Sequence, residues 1–245
     1  MRKLFLLAAC LALLQPAAAK ADISYRLGMG KILADQVLFD KVLVPIATGR
    51  EAADDGSAPS TSSPAPKPAT APFKGTFKAD PALRQAAIEK MQQRIAQASP
   101  TNAGEPADAI FAQFEELLAP LGLRTTSLAD TAAVYAAAMH DAANGTVTRA
   151  SAAQAQGLSE QFAKAFGELI PAEPGLQDPS LVQRQADLFV LQAWLVLTLN
   201  SSFAQPGVSA SDRESYQIAM RDTGQKVFGL DLTEVEWTSR GLVQR

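Results

Sequence analysis

Between residues 73 and 245, apolar side chains recur at the three- and four-residue spacing of amphipathic helices in six successive segments. The second segment is the clearest, because its apolar residues form one stripe and the stretch Pro120 to Gly122 follows directly. We therefore predict six helices in this part of the chain. Their approximate ranges are 81–98, 106–119, 128–144, 149–170, 179–199 and 211–227.

Local signals support the ends of these helices. Asp80 and Asp178 each precede a proline, which predicts a capped helix start with proline at the first position. Ser127 and Asp130 have the spacing of a capping box, with Asp in place of the usual Glu. Asn144-Gly145 predicts the end of that third helix. In the fourth helix, Gly157 and Gly167 weaken the helical pattern.

The fifth segment is apolar on nearly every side, which is typical of a central helix or of a membrane segment. Its apolar run, Leu188 to Leu199, is interrupted by Gln192 and Thr198. A membrane-spanning helix needs about 18 or more apolar residues in succession. We therefore predict a buried core helix.

The chain ends with alternating apolar and polar residues from Phe228 to Trp237, which predict one short strand or an extended lid. No other stretch has a strand pattern. The predicted fold is all-α: a single helical bundle of five to six helices with a central apolar helix, spanning residues 73–245.

Residues 1–21 have the pattern of a secretory signal peptide: Arg2 and Lys3, then an apolar run, then small residues suited to cleavage after Ala19 or Ala21. We therefore expect a periplasmic or secreted protein. Cys10 is the one cysteine of the chain, and its surroundings resemble a lipoprotein signal. Ordinary cleavage fits better, because the apolar run continues past Cys10 and the stretch before it is short.

Two further segments precede the bundle. Residues 22–50 contain a short amphipathic helix over 32–46, and residues 51–72 form a Pro/Ser/Ala-rich linker that we predict to be disordered. The short helix either docks on the main domain or binds a partner or a membrane surface. Its polar face is not cationic, which favours docking over membrane binding.

Charge and composition exclude several classes of function. The chain has 22 basic and 25 acidic residues, and removing Arg2 and Lys3 with the signal leaves a net charge of about −5. Nucleic acid is therefore excluded as the main partner. Without a cysteine in the mature chain, disulfides and thiolate chemistry are excluded as well. No motif indicates a cofactor or a metal ion.

Three stretches combine helix ends with apolar positions: 118–125 (LAPLGLRT), 128–135 (LADTAAVY), and 228–232 (FGLDL) with Leu242 and Val243. Together they resemble an uncharacterised family of small exported bacterial proteins, classed as a domain of unknown function. The resemblance covers roughly residues 73 to 243. It implies an exported helical domain behind a signal and a low-complexity segment, and it implies no activity, ligand or catalytic residue.

Four residues are candidates for function. His140, the one histidine, is a candidate for acid–base chemistry or a structural role, and we expect Asp141 to lie on a different part of its helix. Arg124 and Asp130 flank a turn, where they either pin the structure or, for Arg124, recognise an acidic ligand group. Trp237 is a candidate contact residue, because aromatic side chains often carry interface energy.

Catalytic motifs are otherwise absent from the sequence. A serine triad would need His140, and there is no nucleophile elbow. Glu115 and Glu116 are adjacent carboxylates, but neighbours on a helix point about 100° apart, which favours a solvated face.

The preferred hypothesis is a non-enzymatic module that binds another envelope or secreted protein. One alternative is an envelope hydrolase of the peptidoglycan-cleaving type, which predicts two carboxyl groups about 5 to 10 Å apart, one of them with a raised pKa. The other is a protein that becomes membrane-active through its apolar fifth helix. The sequence leaves the oligomeric state open.

Overall fold

A computed structural model describes residues 73–98, 107–147, 150–169 and 177–245. The predicted signal peptide (1–21), the segment 22–50 with its predicted short helix, and the predicted linker 51–72 lie outside the described residues. The helices are α1 (Pro81–Ala98), α2 (Ala107–Leu118), α3 (Leu128–Asn144), α4 (Ala152–Leu169), α5 (Pro179–Phe203) and α6 (Ala210–Phe228), and the strands are β1 (Val235–Thr238) and β2 (Gly241–Gln244). A short 3₁₀ helix, Ala119–Leu121, follows α2.

The predicted helical bundle is confirmed, and α3 and α5 form its centre. The two helices run in the same direction, because Gly75 lies against the start of both and Asn200 of α5 donates to the carbonyl of Thr146 just after α3. Tyr135 of α3 stacks on Phe189 of α5, with ring centroids 5.8 Å apart. Around this pair, α4 and α6 pack on α3, and α1 packs on α5.

Short residues allow α3 to be almost fully enclosed. Alanines occupy much of its surface, so neighbouring helices approach closely, and 14 of its residues are buried. Its first backbone N–H groups are satisfied by the segment before α1: Leu128 donates to Gly75 and Ala129 to Lys74, at 3.2 and 3.1 Å. At the other end, Gly145 adopts a left-handed conformation with φ 63°, as the Asn-Gly pattern predicts.

α5 is buried along most of its length, as expected for a core helix. Of the described helices it is the one long and apolar enough to cross a membrane, and 67% of that stretch is buried inside the domain. Its start follows the predicted pattern: Asp178 accepts a hydrogen bond from the backbone N–H of Ser180 at 2.8 Å, and Pro179 is the first helical residue.

The C-terminal segment differs from the prediction of one strand or an extended lid. It forms a two-stranded antiparallel hairpin, in which Trp237 pairs with Leu242 and Thr238 with Gly241. Ser239 and Arg240 make its two-residue turn, which lacks the Asn-Gly or Asp-Gly sequence that usually signals such a turn. The second strand was therefore missed.

The hairpin packs across α4, and three α4 residues contact it. A Cβ atom on Gly157 would come within 2.0 Å of the carbonyl oxygen of Ser239, so only glycine lets the hairpin approach this closely. On one side, Gln154 Nε2 donates to the Trp237 carbonyl at 2.9 Å. On the other, the Gln161 amide bonds both the N–H and the carbonyl of Leu242, at 2.9 and 3.1 Å. These contacts define a hairpin clamp, formed by Gln154, Gly157 and Gln161.

Gly157→Ala tests the clamp. In an isolated helix this change stabilises by about 1 kcal/mol, but here the methyl group would collide with the backbone at Ser239. We expect a net loss of about 1 to 3 kcal/mol in the free energy of unfolding, as for overpacked sites. Urea unfolding measures it, with the exposed α4 substitution Glu160→Ala as the control. A Gly157→Ala variant more stable than wild type would contradict the close approach.

Candidate functional site

Asp130 holds the turn between α2 and α3 to α4. It is buried, and its carboxylate accepts hydrogen bonds from the Ser159 hydroxyl of α4 and from the backbone N–H of Arg124, the latter at 3.1 Å. The predicted capping box is only half formed: Ser127 Oγ accepts from the Asp130 N–H at 3.3 Å, but the Asp130 carboxylate is directed to Arg124 and Ser159 instead of back to Ser127. Asp130 therefore joins three parts of the fold.

Arg124 contributes its backbone to this arrangement. The residue is exposed, and its N–H, not its guanidinium, meets Asp130. Recognition of an acidic ligand by the Arg124 side chain stays a prediction.

His140 and Trp237 come together where the hairpin meets the end of α3. Their rings lie 6.4 Å apart between centroids in an edge-on arrangement, and Trp237 Nε1 donates to the carbonyl of Gln154 at 3.1 Å. This pair is about 15 Å along α3 from Asp130, since ten residues separate the two positions. The four candidate residues therefore belong to two places in the fold.

The expectation that Asp141 lies away from His140 is wrong. His140 Nδ1 is 3.5 Å from Asp141 Oδ1. Thr146 also donates to Asp141 Oδ1, at 3.3 Å. At 3.5 Å the imidazole contact is longer than a hydrogen bond, and among the described residues neither ring nitrogen of the buried His140 has a hydrogen-bond partner.

Asn144 ties the same region to the segment before the hairpin. Its Nδ2 donates to the His140 carbonyl at 2.8 Å and to the Leu232 carbonyl at 3.1 Å. Leu232 is fully buried against Gly224 of α6, where a Cβ atom would lie 2.6 Å from a Leu232 methyl group. The segment before the hairpin is therefore bonded to α3 through Asn144 and packed on α6 through Leu232.

Sequence reasoning missed a cluster of charges where α1, α2 and α5 meet. Arg84 Nε donates to Asp187 Oδ1 at 3.3 Å, Arg84 Nη1 lies 3.7 Å from Glu115 Oε1, and the guanidinium lies 4.0 Å above the Phe111 ring. Gln183 Nε2 donates to the other Asp187 oxygen at 3.1 Å. We call Arg84, Asp187, Gln183 and Glu115 the latch.

The latch contains a carboxyl pair of the general kind that the hydrolase alternative requires. One guanidinium contacts both Asp187 and Glu115, so the two carboxylates lie within about 10 Å of each other. Burial raises the pKa of the Asp187 carboxyl, an effect that exceeds the opposing hydrogen bond from Gln183 and the charge of Arg84. The side chains differ in access, since Asp187 is 0% exposed and Glu115 is 57% exposed.

A weak signal for the latch was present in the sequence. Gln183 and Asp187 are polar residues four apart, just before the apolar run of α5, and so lie on one face of that helix. Periodicity cannot identify Arg84 as the partner of Asp187, because the two residues are 103 positions apart in the chain.

Gln192, which interrupts the apolar run of α5, is fully buried. Among the described residues neither its amide nitrogen nor its amide oxygen has a hydrogen-bond partner. An amide buried in this way costs stability, because it loses its bonds to water without replacement.

Within the described residues, no group of three or more His, Asp or Glu side chains is placed to hold a metal ion. No protein-family model, curated protein or solved structure matches the chain. The residues and their geometry are therefore the basis for any functional proposal.

Gln192→Met tests the energetic cost of the buried amide. Methionine has a similar length and no strong hydrogen-bonding group, so we expect the free energy of unfolding to rise by about 1 kcal/mol. Urea unfolding gives the value, with Gln225→Met at an exposed α6 position as the control. A loss of stability of similar size would contradict the prediction, because it would mean that the amide makes favourable contacts.

Proposed function

We propose that this protein is a non-enzymatic binding module of the cell envelope, and that its C-terminal hairpin takes part in recognising another envelope or secreted protein. The observation that carries the proposal is the hairpin clamp. A two-stranded hairpin is marginally stable by itself, yet here side chains of α4 bond its backbone on both edges. Such fixation is useful for a surface that must keep one shape.

Preorganisation is the physical advantage of this arrangement. A flexible hairpin would lose conformational entropy when a partner ordered it, whereas the clamped hairpin has lost that entropy during folding. Trp237 is half-buried one residue pair from the turn, and its ring is oriented by Gln154 and His140. Oriented aromatic side chains are common at the centres of interfaces.

The sequence supports the location that we propose. The signal pattern of residues 1–21 supports export, and the linker 51–72 would let the N-terminal segment reach a partner or a surface apart from the bundle. Membership of the exported family that the chain resembles is part of the same proposal.

Site-specific photo-cross-linking in the native envelope tests the proposal. A photoreactive amino acid is placed at Glu236 or at Arg240, both exposed on the hairpin, and at exposed Arg213 on α6 as the matched control. We expect the two hairpin positions to give the same cross-linked protein, with at least about fivefold lower yield from the control, because yield follows proximity to the interface. Equal yields from all three positions, or no product from the hairpin, would refute the role of the hairpin.

An envelope hydrolase is the second candidate, and the specific observation in its favour is the carboxyl pair of the latch. Asp187 has the raised pKa expected of a general acid, and Glu115 is at a suitable distance. The burial of Asp187 argues against this function, since a general acid must come within hydrogen-bond reach of its substrate.

Release of soluble fragments from purified peptidoglycan distinguishes the two functions. On the binding-module proposal, we expect the mature protein and its Glu115→Gln variant to give the same background, because the latch is structural. Fragment release by the wild type that falls by about 100-fold or more in the variant, as expected on loss of a catalytic carboxyl, would replace the binding module with the hydrolase.

A further inference from the structure

α1 is held on α5 by a small apolar contact and by the latch. Among the α1 residues whose side chains are described, Ile88 and Met91 are the buried apolar ones, while Leu83 and Ala87 are half-buried. The opposite face of the helix is exposed. The polar contacts of the latch therefore carry much of the attachment at the start of α1.

The latch joins corresponding positions of two helices that run in parallel. Gln183 accepts from the Asp80 N–H and donates to the Asp80 carbonyl, both at 2.8 Å, and one turn later Arg84 donates to Asp187. α1 therefore lies over the polar start of α5, at Gln183 and Asp187.

Asp187 occupies an unfavourable position for a charged group. It has no exposed surface, and burial raises its pKa despite the neighbouring guanidinium. The groups that face it are Arg84 from α1 and Gln183 from α5 itself, with Glu115 of α2 on the far side of the guanidinium. Arg84 is itself incompletely paired, because its buried Nη2 has no hydrogen-bond partner among the described residues.

The sign of the pH effect follows from proton linkage. A carboxyl whose pKa is raised in the closed structure binds its proton more tightly there than in water. The stability that this proton provides is fully present below the ordinary pKa of 3.8 and is lost as the pH rises through the raised value. Exposure of Asp187 to water returns its pKa toward the ordinary range, so the ionised form favours an open state.

We propose that α1 is a releasable cover on α5, that the latch controls its release, and that deprotonation of Asp187 favours the open state. Release would uncover the start of α5 that carries Gln183 and Asp187. This inference does not rest on the binding role proposed for the hairpin, which lies on α4.

Hydrogen exchange of the full mature chain tests the proposal. Protection factors, corrected for intrinsic exchange rates, are compared for peptides of α1 and of α3 from below the ordinary Asp pKa of 3.8 up to neutral pH. We expect protection in α1 to fall as the pH rises, by about tenfold for each unit by which the pKa of Asp187 is raised, with much smaller changes in α3. Asp187→Asn should remove the pH dependence in α1. Asp178→Asn, at the exposed carboxyl that caps the start of α5, should retain it.

The proposal is overturned if α1 protection in the wild type does not change with pH, or if Asp187→Asn keeps the change. A second measurement avoids dependence on the folding of the variant. The Asp187 carboxyl is titrated by carbon NMR in the wild type, and its midpoint is compared with the midpoint of α1 exchange. Coincident midpoints support the latch, and midpoints that differ by more than one pH unit refute it.

Discussion

Enclosure of α3 is the constraint on which the rest of the fold depends. The backbone groups at the two ends of a helix need hydrogen-bond partners, and where the helix is enclosed those partners come from the protein. The segment before α1 satisfies the start of α3, and Asp130 links that start to α4. Asn144 connects its end to the C-terminal segment. Parts of the chain far apart in sequence are thus required at the two ends of one helix.

The need to pair backbone polar groups also accounts for the position of the hairpin. Strand edges carry backbone groups that need partners, and α4 supplies them through glutamine side chains that are long enough to reach past its own surface. Gly157 brings the backbone of the turn close enough for both glutamines to bond. One helix can therefore hold α3 on one side and a small sheet on the other.

The helices were predictable because their signals are local. Proline after Asp80 and Asp178, glycine after Asn144, and apolar spacing within each segment fixed the starts, ends and buried faces of the helices to within a few residues. The hairpin and the latch were not predictable in this way. Trp237 depends on Gln154, and Asp187 depends on Arg84, across 83 and 103 residues respectively, and periodicity carries no information about such pairs. The four candidate residues were named from the sequence. That His140 lies against Trp237 could be seen only in the structure.

The hydrogen bonds that fix the C-terminal end come from uncharged amides. Gln154, Gln161 and Asn144 neither gain nor lose a proton between acidic and alkaline conditions, so the bonds that they make are unaffected by acidity. The contacts at the start of α1 instead involve a guanidinium and two carboxylates. The amide bonds to the hairpin and to Leu232 are therefore the same in acidic and alkaline surroundings, whereas the contacts at the start of α1 depend on the charge of their carboxyl groups.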